Sequence, residues 1–261
     1  MMNKNKKTEI NIESLRSKLL KQTEQHKNAP KRIRVGIEGD AKTGKTGLAM
    51  DMTKKTFYLD VDNGSVPTWQ TNHESTDRII IFNPAEHNED GEFLPYETQG
   101  NIRSFIALAK QTAKTEEIVF VWDGVDTWLD YCTLYMAGME TSRMRPMKTS
   151  KQQDWFHRNQ PFKEVMKEME AIDCDQIYIT HTKPPFRDEP AQPIWNRWDS
   201  HLWTVLQTTQ RNTQKGMEYF VTVKSSKYNP SLLGKRVSFL SVNRTGEVVW
   251  TGFKELKEGN V

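Results

Sequence analysis

Hydrophobic and polar positions alternate along the chain in two distinct rhythms. Short, nearly continuous apolar runs occur at 32–38 (RIRVGIE), 56–61 (TFYLDV), 78–82 (RIIIF), 118–123 (IVFVWD) and 176–181 (QIYITH). Runs of that length, rich in β-branched and aromatic residues, predict strands buried on both faces. Between them, segments 46–54, 99–114, 125–139 and 161–172 carry apolar residues at helical spacing, with Ile102, Phe105, Ile106 and Ala109 forming one stripe. Strand and helix in alternation predict an α/β fold with a mostly parallel, right-handed sheet. After residue 201 the helical rhythm stops. HLWTVLQTTQ, EYFVTVKSS, RVSFLSV and EVVWTGF are separated by short polar turns, which predicts antiparallel β-hairpins extending the sheet. Ahead of all this, Ile12, Leu15, Leu19 and Leu20 recur at helical spacing, so one amphipathic helix is expected in a polar extension over 1–30, docked on the domain or on a neighbouring copy. The main domain then runs from 31 to 253, and 254–261 reads as a tail.

Composition narrows this picture by exclusion. A chain of 261 residues has room for one full core. Apolar stretches such as Ile118–Trp122 stop at five residues, against the roughly 20 that a membrane span needs. The start MMNKNKK is followed by Thr-Glu-Ile-Asn rather than an apolar signal core, so a cytoplasmic protein without membrane contact is expected. Cys132 and Cys174 are isolated, which leaves no zinc or disulfide framework to propose. A net charge of +3 is too small for a histone-like arm, so any nucleic-acid surface must be local.

The chemistry begins at Gly39-Asp40-Ala41-Lys42-Thr43-Gly44-Lys45-Thr46, a full G-x-x-x-x-G-K-[ST] loop that follows a predicted strand and opens a predicted helix at Thr46-Gly47. Its glycines let backbone N–H groups curl around a phosphate, and the helix N-terminus adds a positive dipole end. Lys45 is placed to bridge the β- and γ-phosphates of ATP, and the Thr46 hydroxyl to ligate Mg²⁺. The run IVFVWD supplies Asp123 at a strand end as the second acid that the metal requires. The next residue is Gly124, where many AAA+ motors and terminases carry a glutamate that polarises water. That carboxylate must therefore come from elsewhere, and the second strand offers Asp60 and Asp62 in Leu59-Asp60-Val61-Asp62-Asn63-Gly64. Either of these acids could instead cap the turn through Asn63-Gly64.

With these motifs in this order the chain resembles the RecA-like P-loop ATPases, and over roughly 32–250 it is most similar to the phage recombination ATPases of the single-strand-annealing type. The resemblance implies a RecA-like ATPase domain over 31–253. It implies that Asp62 is the general base, although the family usually has Glu there and Asp is one methylene shorter. It makes Thr180 and His181, at the end of the fifth strand, candidate sensors of the γ-phosphate, although a lone histidine is also a common structural residue. It also assigns Lys224 and Lys227 to the γ-phosphate of an adjoining subunit in a ring or filament, the alternative being two lysines on a surface hairpin.

Two segments are candidates for nucleic acid. Segment 141–159 carries Arg143, Arg145, Lys148, Lys151 and Arg158 against Asp154, together with Trp155 and Phe156. Cations interleaved with aromatic faces suit a single strand, whose backbone they neutralise and whose bases they stack. The alternative is a connector with its aromatics on the core. Segment 182–200 has four prolines and balanced charge, and serves equally as a lid, a subunit contact or a second DNA loop. The expectation is a DNA-stimulated ATP hydrolase acting on single-stranded DNA in recombination or replication, of viral or mobile-element type. A single-strand-binding protein is a further candidate partner. A nucleotide-switched binding protein with negligible hydrolysis and a P-loop nucleotide or small-molecule kinase are the alternatives.

Overall fold

In the computed structural model the chain is described over residues 12–28, 31–72, 77–136, 152–183, 192–193 and 201–261. It divides into two units, Met1–Lys31 and Arg32–Val261. Within the first, α1 (Ile12–Asn28) carries Ile12, Leu15, Leu19 and Leu20 as expected.

The five apolar runs of the second unit form β1 (Arg34–Gly39), β2 (Lys55–Asp60), β3 (Ile79–Phe82), β4 (Ile118–Asp123) and β5 (Asp175–Lys183). The helices between them are α2 (Lys45–Met50), α3 (Ser65–Asn72), α4 (Pro95–Thr112), α5 (Val125–Met136) and α6 (Gln152–Glu170). A two-residue β6 (Gln192–Pro193) pairs with the end of β5. The chain then enters β7 (Thr204–Thr213), β8 (Gly216–Ser226), β9 (Arg236–Asn243) and β10 (Val248–Trp250), and closes with α7 (Lys254–Lys257).

One sheet of order β10-β9-β8-β7-β1-β5-β4-β2-β3 joins these strands. The six strands from β7 to β3 run parallel, and β8, β9 and β10 extend them antiparallel. The expected class is therefore borne out: an α/β RecA-like core with a mostly parallel sheet and a C-terminal antiparallel extension. One detail differs. The sequence pattern places β7 in a hairpin only, but the strand also pairs parallel to β1, which welds the C-terminal hairpins to the phosphate-loop strand.

Period-two alternation divides the core into two layers. Phe57, Leu59, Phe120, Trp122 and Tyr178 pack on one face with Ile102, Phe105, Ile106 and Ala109 of α4 and with residues of α5 and α6. Tyr58, Val119, Val121, Ile177 and Ile179 pack on the other with α2, Phe239, Phe253, Leu256 and Val261. The stretch 254–261 is thus no tail, since Leu256 and Val261 are buried in this second layer. Segment 141–159 is also not wholly a loop, because α6 begins at Gln152. The helix α3 has no counterpart in the sequence pattern, as SVPTWQTN carries no apolar stripe.

Phe120 is fully buried on the central strand, 5.7 Å from the Phe105 ring. Replacing it with Ala should cost about 3–5 kcal/mol, by lost transfer energy and the cavity left behind. Urea unfolding should show this as a lower midpoint with an unchanged slope.

Candidate active site

Parallel register brings chemistry to one edge of the sheet. Gly39 lies opposite His181, Asp123 opposite Ile179, and Asp60 opposite Asp123, so the functional strand ends line up at the carboxyl edge, the usual ligand site of such sheets. A cavity of about 590 Å³ opens there. Its floor is the loop Lys42–Gly47, and Asp62, Asp123 and His181 close one end.

The loop folds as its sequence requires. Lys42 and Gly44 take left-handed conformations, with φ of 65° and 84°. Successive turns of this kind make a concave nest of N–H groups that suits an anion. At Gly44 a Cβ would lie 2.9 Å from the Phe239 ring, so the position admits only glycine on steric grounds too. The Lys45 ammonium donates to the Gly39 carbonyl at 3.1 Å and the Asp40 carbonyl at 2.8 Å. Burial lowers its pKa, against the pull of Asp123, Asp126 and Asp62. A buried cation turned toward loop carbonyls is what a polyphosphate would recruit. Asp40 and Ala41 are exposed, and Asp40 instead uses its carboxylate to accept from Thr182 Oγ1 at 2.5 Å. Thr43 is held by the Asp40 carbonyl at 2.8 Å and shares a 2.7 Å bond with Thr208 of β7.

Asp123 is the most constrained acid. Its Oδ2 accepts from Thr46 Oγ1 at 2.8 Å and also from the Tyr58 hydroxyl, which reaches it from the neighbouring strand. Burial pushes its pKa up to about 6, with the Tyr58 bond opposing and the Asp62 charge adding to the rise. The Thr46 hydroxyl beside a carboxylate is a hard oxygen pair suited to a magnesium ion, whose charge would offset this burial. The residues present therefore fit both a polyphosphate and its metal.

The two acids after β2 divide the work. Asp60 caps α3, accepting from Gly64 N at 3.1 Å, Ser65 N at 3.0 Å and Ser65 Oγ at 2.6 Å. The turn-cap role thus falls to Asp60, and Asp62 lines the cavity. Thr127 of α5 donates to Asp62 Oδ1, and burial raises the Asp62 pKa against that bond. Gly124 explains where the carboxylate went. With φ of 92°, a Cβ there would fall 2.3 Å from Asp62 Oδ1, so the missing side chain after Asp123 is the space that Asp62 fills.

His181 lines the cavity, and its Nδ1 lies 3.0 Å from Asp126 Oδ2 and 3.8 Å from Asp62 Oδ2. The bond to Asp126 raises its pKa, against burial and the Lys45 charge. Thr180, the other sensor candidate, is fully buried in the sheet.

Other expected residues lie elsewhere. Lys224 occupies a bulge on β8, level with Gly36 and Ile37, and the Lys227 amide pairs with the Trp203 carbonyl below the start of β7. Both are exposed, and neither lines this cavity. Arg158 is half-buried on α6, donating to Asn159 at 3.2 Å, with Cys132 and Asp130 of α5 as its electrostatic neighbours. Arg143, Arg145, Lys148 and Lys151 lie outside the described residues, as does the side chain of Trp155 and most of 182–200.

Sequence reasoning missed Tyr58, Asp126 and Thr127, and also the wall of Thr68, Tyr219, Leu240 and Trp250 that closes the cavity opposite the acids. Tyr58 was accessible in principle, since it shares a strand face with Asp60. The wall was not, because the hairpin register that delivers it is long-range.

The sequence model of the AAA domain family matches residues 31–223. A comparison with curated protein sequences gives no match. Among solved structures, the chain is similar to the KaiC-like protein PH0186 from Pyrococcus horikoshii OT3, at 11% identity over 85% of this chain and 90% of that one, with a TM-score of 0.48. It is similar to the RadB recombinase at 15% identity over 84% and 90%, with a TM-score of 0.42. A third solved structure, an isolated ATPase domain, aligns at 11% identity over 93% and 99%, with a TM-score of 0.46.

The raised pKa of Asp123 makes a stability prediction. Between its unfolded value of 3.8 and about 6, the folded state holds more protons, so this contribution is present at low pH and is lost as pH rises through 6. About two units correspond to about 3 kcal/mol. In chelator and without nucleotide, Asp123→Asn should therefore be more stable than the parent at pH 8 by up to about 3 kcal/mol, and nearly equal to it at pH 4. Denaturant titrations at the two pH values measure the difference.

Proposed function

The chain belongs to the AAA domain family, whose model spans residues 31–223, and from that membership we propose that it binds ATP with Mg²⁺ and hydrolyses it, in an assembly of copies acting on single-stranded DNA. The observation that carries the hydrolase reading is the convergence of Lys45, Thr46, Asp123, Asp62 and His181 on one cavity of about 590 Å³.

In this reading the loop amides and Lys45 hold the β- and γ-phosphates, and Thr46 with Asp123 holds Mg²⁺. The ion supplies charge neutralisation on the phosphate oxygens. Asp62 accepts a proton from water as the water oxygen bonds to the γ-phosphorus and the bond to the ADP oxygen breaks. His181 faces the same group. The adenine ring rests against Tyr219, Leu240 and Trp250, the apolar end of the cavity. Lys224 and Lys227 of a neighbouring copy stabilise the charge that develops in transfer. Single-stranded DNA is held by segments 141–159 and 182–200, and the setting is the cytoplasm. Among the described residues no helix is long and apolar enough to cross a membrane.

Lys45→Ala should abolish measurable hydrolysis, because the transferring group loses its principal cation. Asp62→Asn should bind ATP nearly normally but turn over roughly 10²–10⁴-fold more slowly, the range for a lost general base. A phosphate-release assay beside nucleotide binding by Trp250 fluorescence separates the two effects. Parent-like turnover in both variants would remove the reading, and a parent that binds but does not turn over would favour the nucleotide switch.

The DNA surface has its own test. Adding single-stranded DNA should raise the ATPase rate. Neutralising Arg143, Arg145 and Lys148 together should make the log–log salt slope of binding shallower by about 2, at ~0.7 counterion per lost contact. Trp155→Ala should weaken binding by ~1–3 kcal/mol with the slope nearly unchanged, because stacking releases few counterions. If neither variant differs from the parent across the salt series, segment 141–159 is a connector.

A further inference from the structure

The first turn of α5 holds a carboxylate that the hydrolase reading does not use. Asp126 is buried, at 5% exposure, three residues beyond the metal acid Asp123. The helix starts there because Gly124 turns the chain out of β4 and its carbonyl accepts the first helical bond, from Trp128 N at 3.0 Å. The buried start of the helix leaves Asp126 little freedom, and its Oδ2 meets His181 Nδ1 at 3.0 Å. An ionised carboxylate can only accept, so Nδ1 must carry the proton. The tautomer and the ring plane are then both set, and Nε2 is the nitrogen left for a ligand.

We infer that Asp126 is a positioning residue, which fixes His181 in the orientation and charge state in which its Nε2–H can donate to a terminal phosphate oxygen of the nucleotide. This rests on the hydrolase reading for the identity of the ligand. Three elements bring charged groups to His181: α5 brings Asp126, the loop after β2 brings Asp62, and α2 brings Lys45. Asp126 is the strongest of these influences and favours the imidazolium, while Lys45 and burial oppose it. Asp62 stands 3.8 Å away and is held by Thr127, the very next residue of the same turn. One helical turn thus sets both groups that face the reacting phosphate, each through a different bond.

Asp126→Asn keeps the size of the side chain and removes its charge. In the full chain without nucleotide, the His181 imidazole resonance, assigned by its loss in His181→Gln, should titrate at lower pH in Asp126→Asn than in the parent. In turnover, Asp126→Asn should lose about 10–100-fold in kcat, the range for a lost carboxylate partner of a histidine, with KM for ATP little changed. The basic limb of its kcat profile should move to lower pH, because the imidazolium is lost sooner as pH rises. In a His181→Gln background the same substitution should cost almost nothing further. An unchanged His181 titration, or a full additional loss in the His181→Gln background, would overturn the assignment, and thermal unfolding of Asp126→Asn identifies a loss that is merely structural. If the parent itself does not hydrolyse ATP, the hydrolase reading fails, and the resting-state titration still decides whether Asp126 sets the charge of His181.

Discussion

The site is organised around a carboxylate buried at the end of an apolar strand. All six residues of β4 are buried, so Asp123 leaves the sheet with no water to solvate it. An ionised group in that position is costly unless several donors meet it. The donors come from two different elements: Tyr58 from the adjoining strand and Thr46 from the helix that follows the phosphate loop, both at the same oxygen. Asp123 therefore ties β2, β4 and α2 together at the point where a metal and a phosphate would sit. The same burial that raises its pKa makes an approaching cation favourable there, so the local destabilisation and the expected function have one cause.

A second constraint follows from the first. The chain leaving Asp123 must turn sharply to start α5, and Gly124 does so with a positive φ. With no side chain there, the acid that would activate water is supplied from the second strand, and Asp62 occupies the vacant space. Asp60 is free to cap α3 only because Asp62 is engaged by Thr127 instead. The division between the two acids, ambiguous as a run of four residues, is fixed by which donors each one meets.

What the sequence made legible was local order. Strand, glycine loop and helix at 34–50, and an apolar run closing on Asp123, are patterns of neighbouring residues, and both stand. Parallel α/β architecture was legible for the same reason, since five buried strands alternate with helices. What escaped depended on register between distant strands. The cavity wall of Tyr219, Leu240 and Trp250 reaches the loop because β7 pairs parallel to β1, and bulges between Val205 and Leu206 and between Tyr219 and Phe220 shift the later strands. No local periodicity encodes a bulge. Asp126 is a residue of another kind. Its helix was expected, but its partner His181 lies 55 residues on, and only the adjacency of β4 and β5 brings them together.

The same register limits what the remaining cations can do. Lys227 sits level with the start of β1, five residues from Gly39, or roughly 16 Å along the strand direction. A lysine side chain does not span that distance, so Lys227 cannot serve the nucleotide of its own chain. Lys224 is nearer in level, but it is exposed on a bulge two strands away from β1 and outside the cavity lining. Any contact of Lys227 with a phosphate must therefore be made across two copies. The hairpins would then have two separate tasks: Tyr219, Leu240 and Trp250 close the nucleotide cavity of their own chain, and the far end of β8 faces outward toward a neighbour.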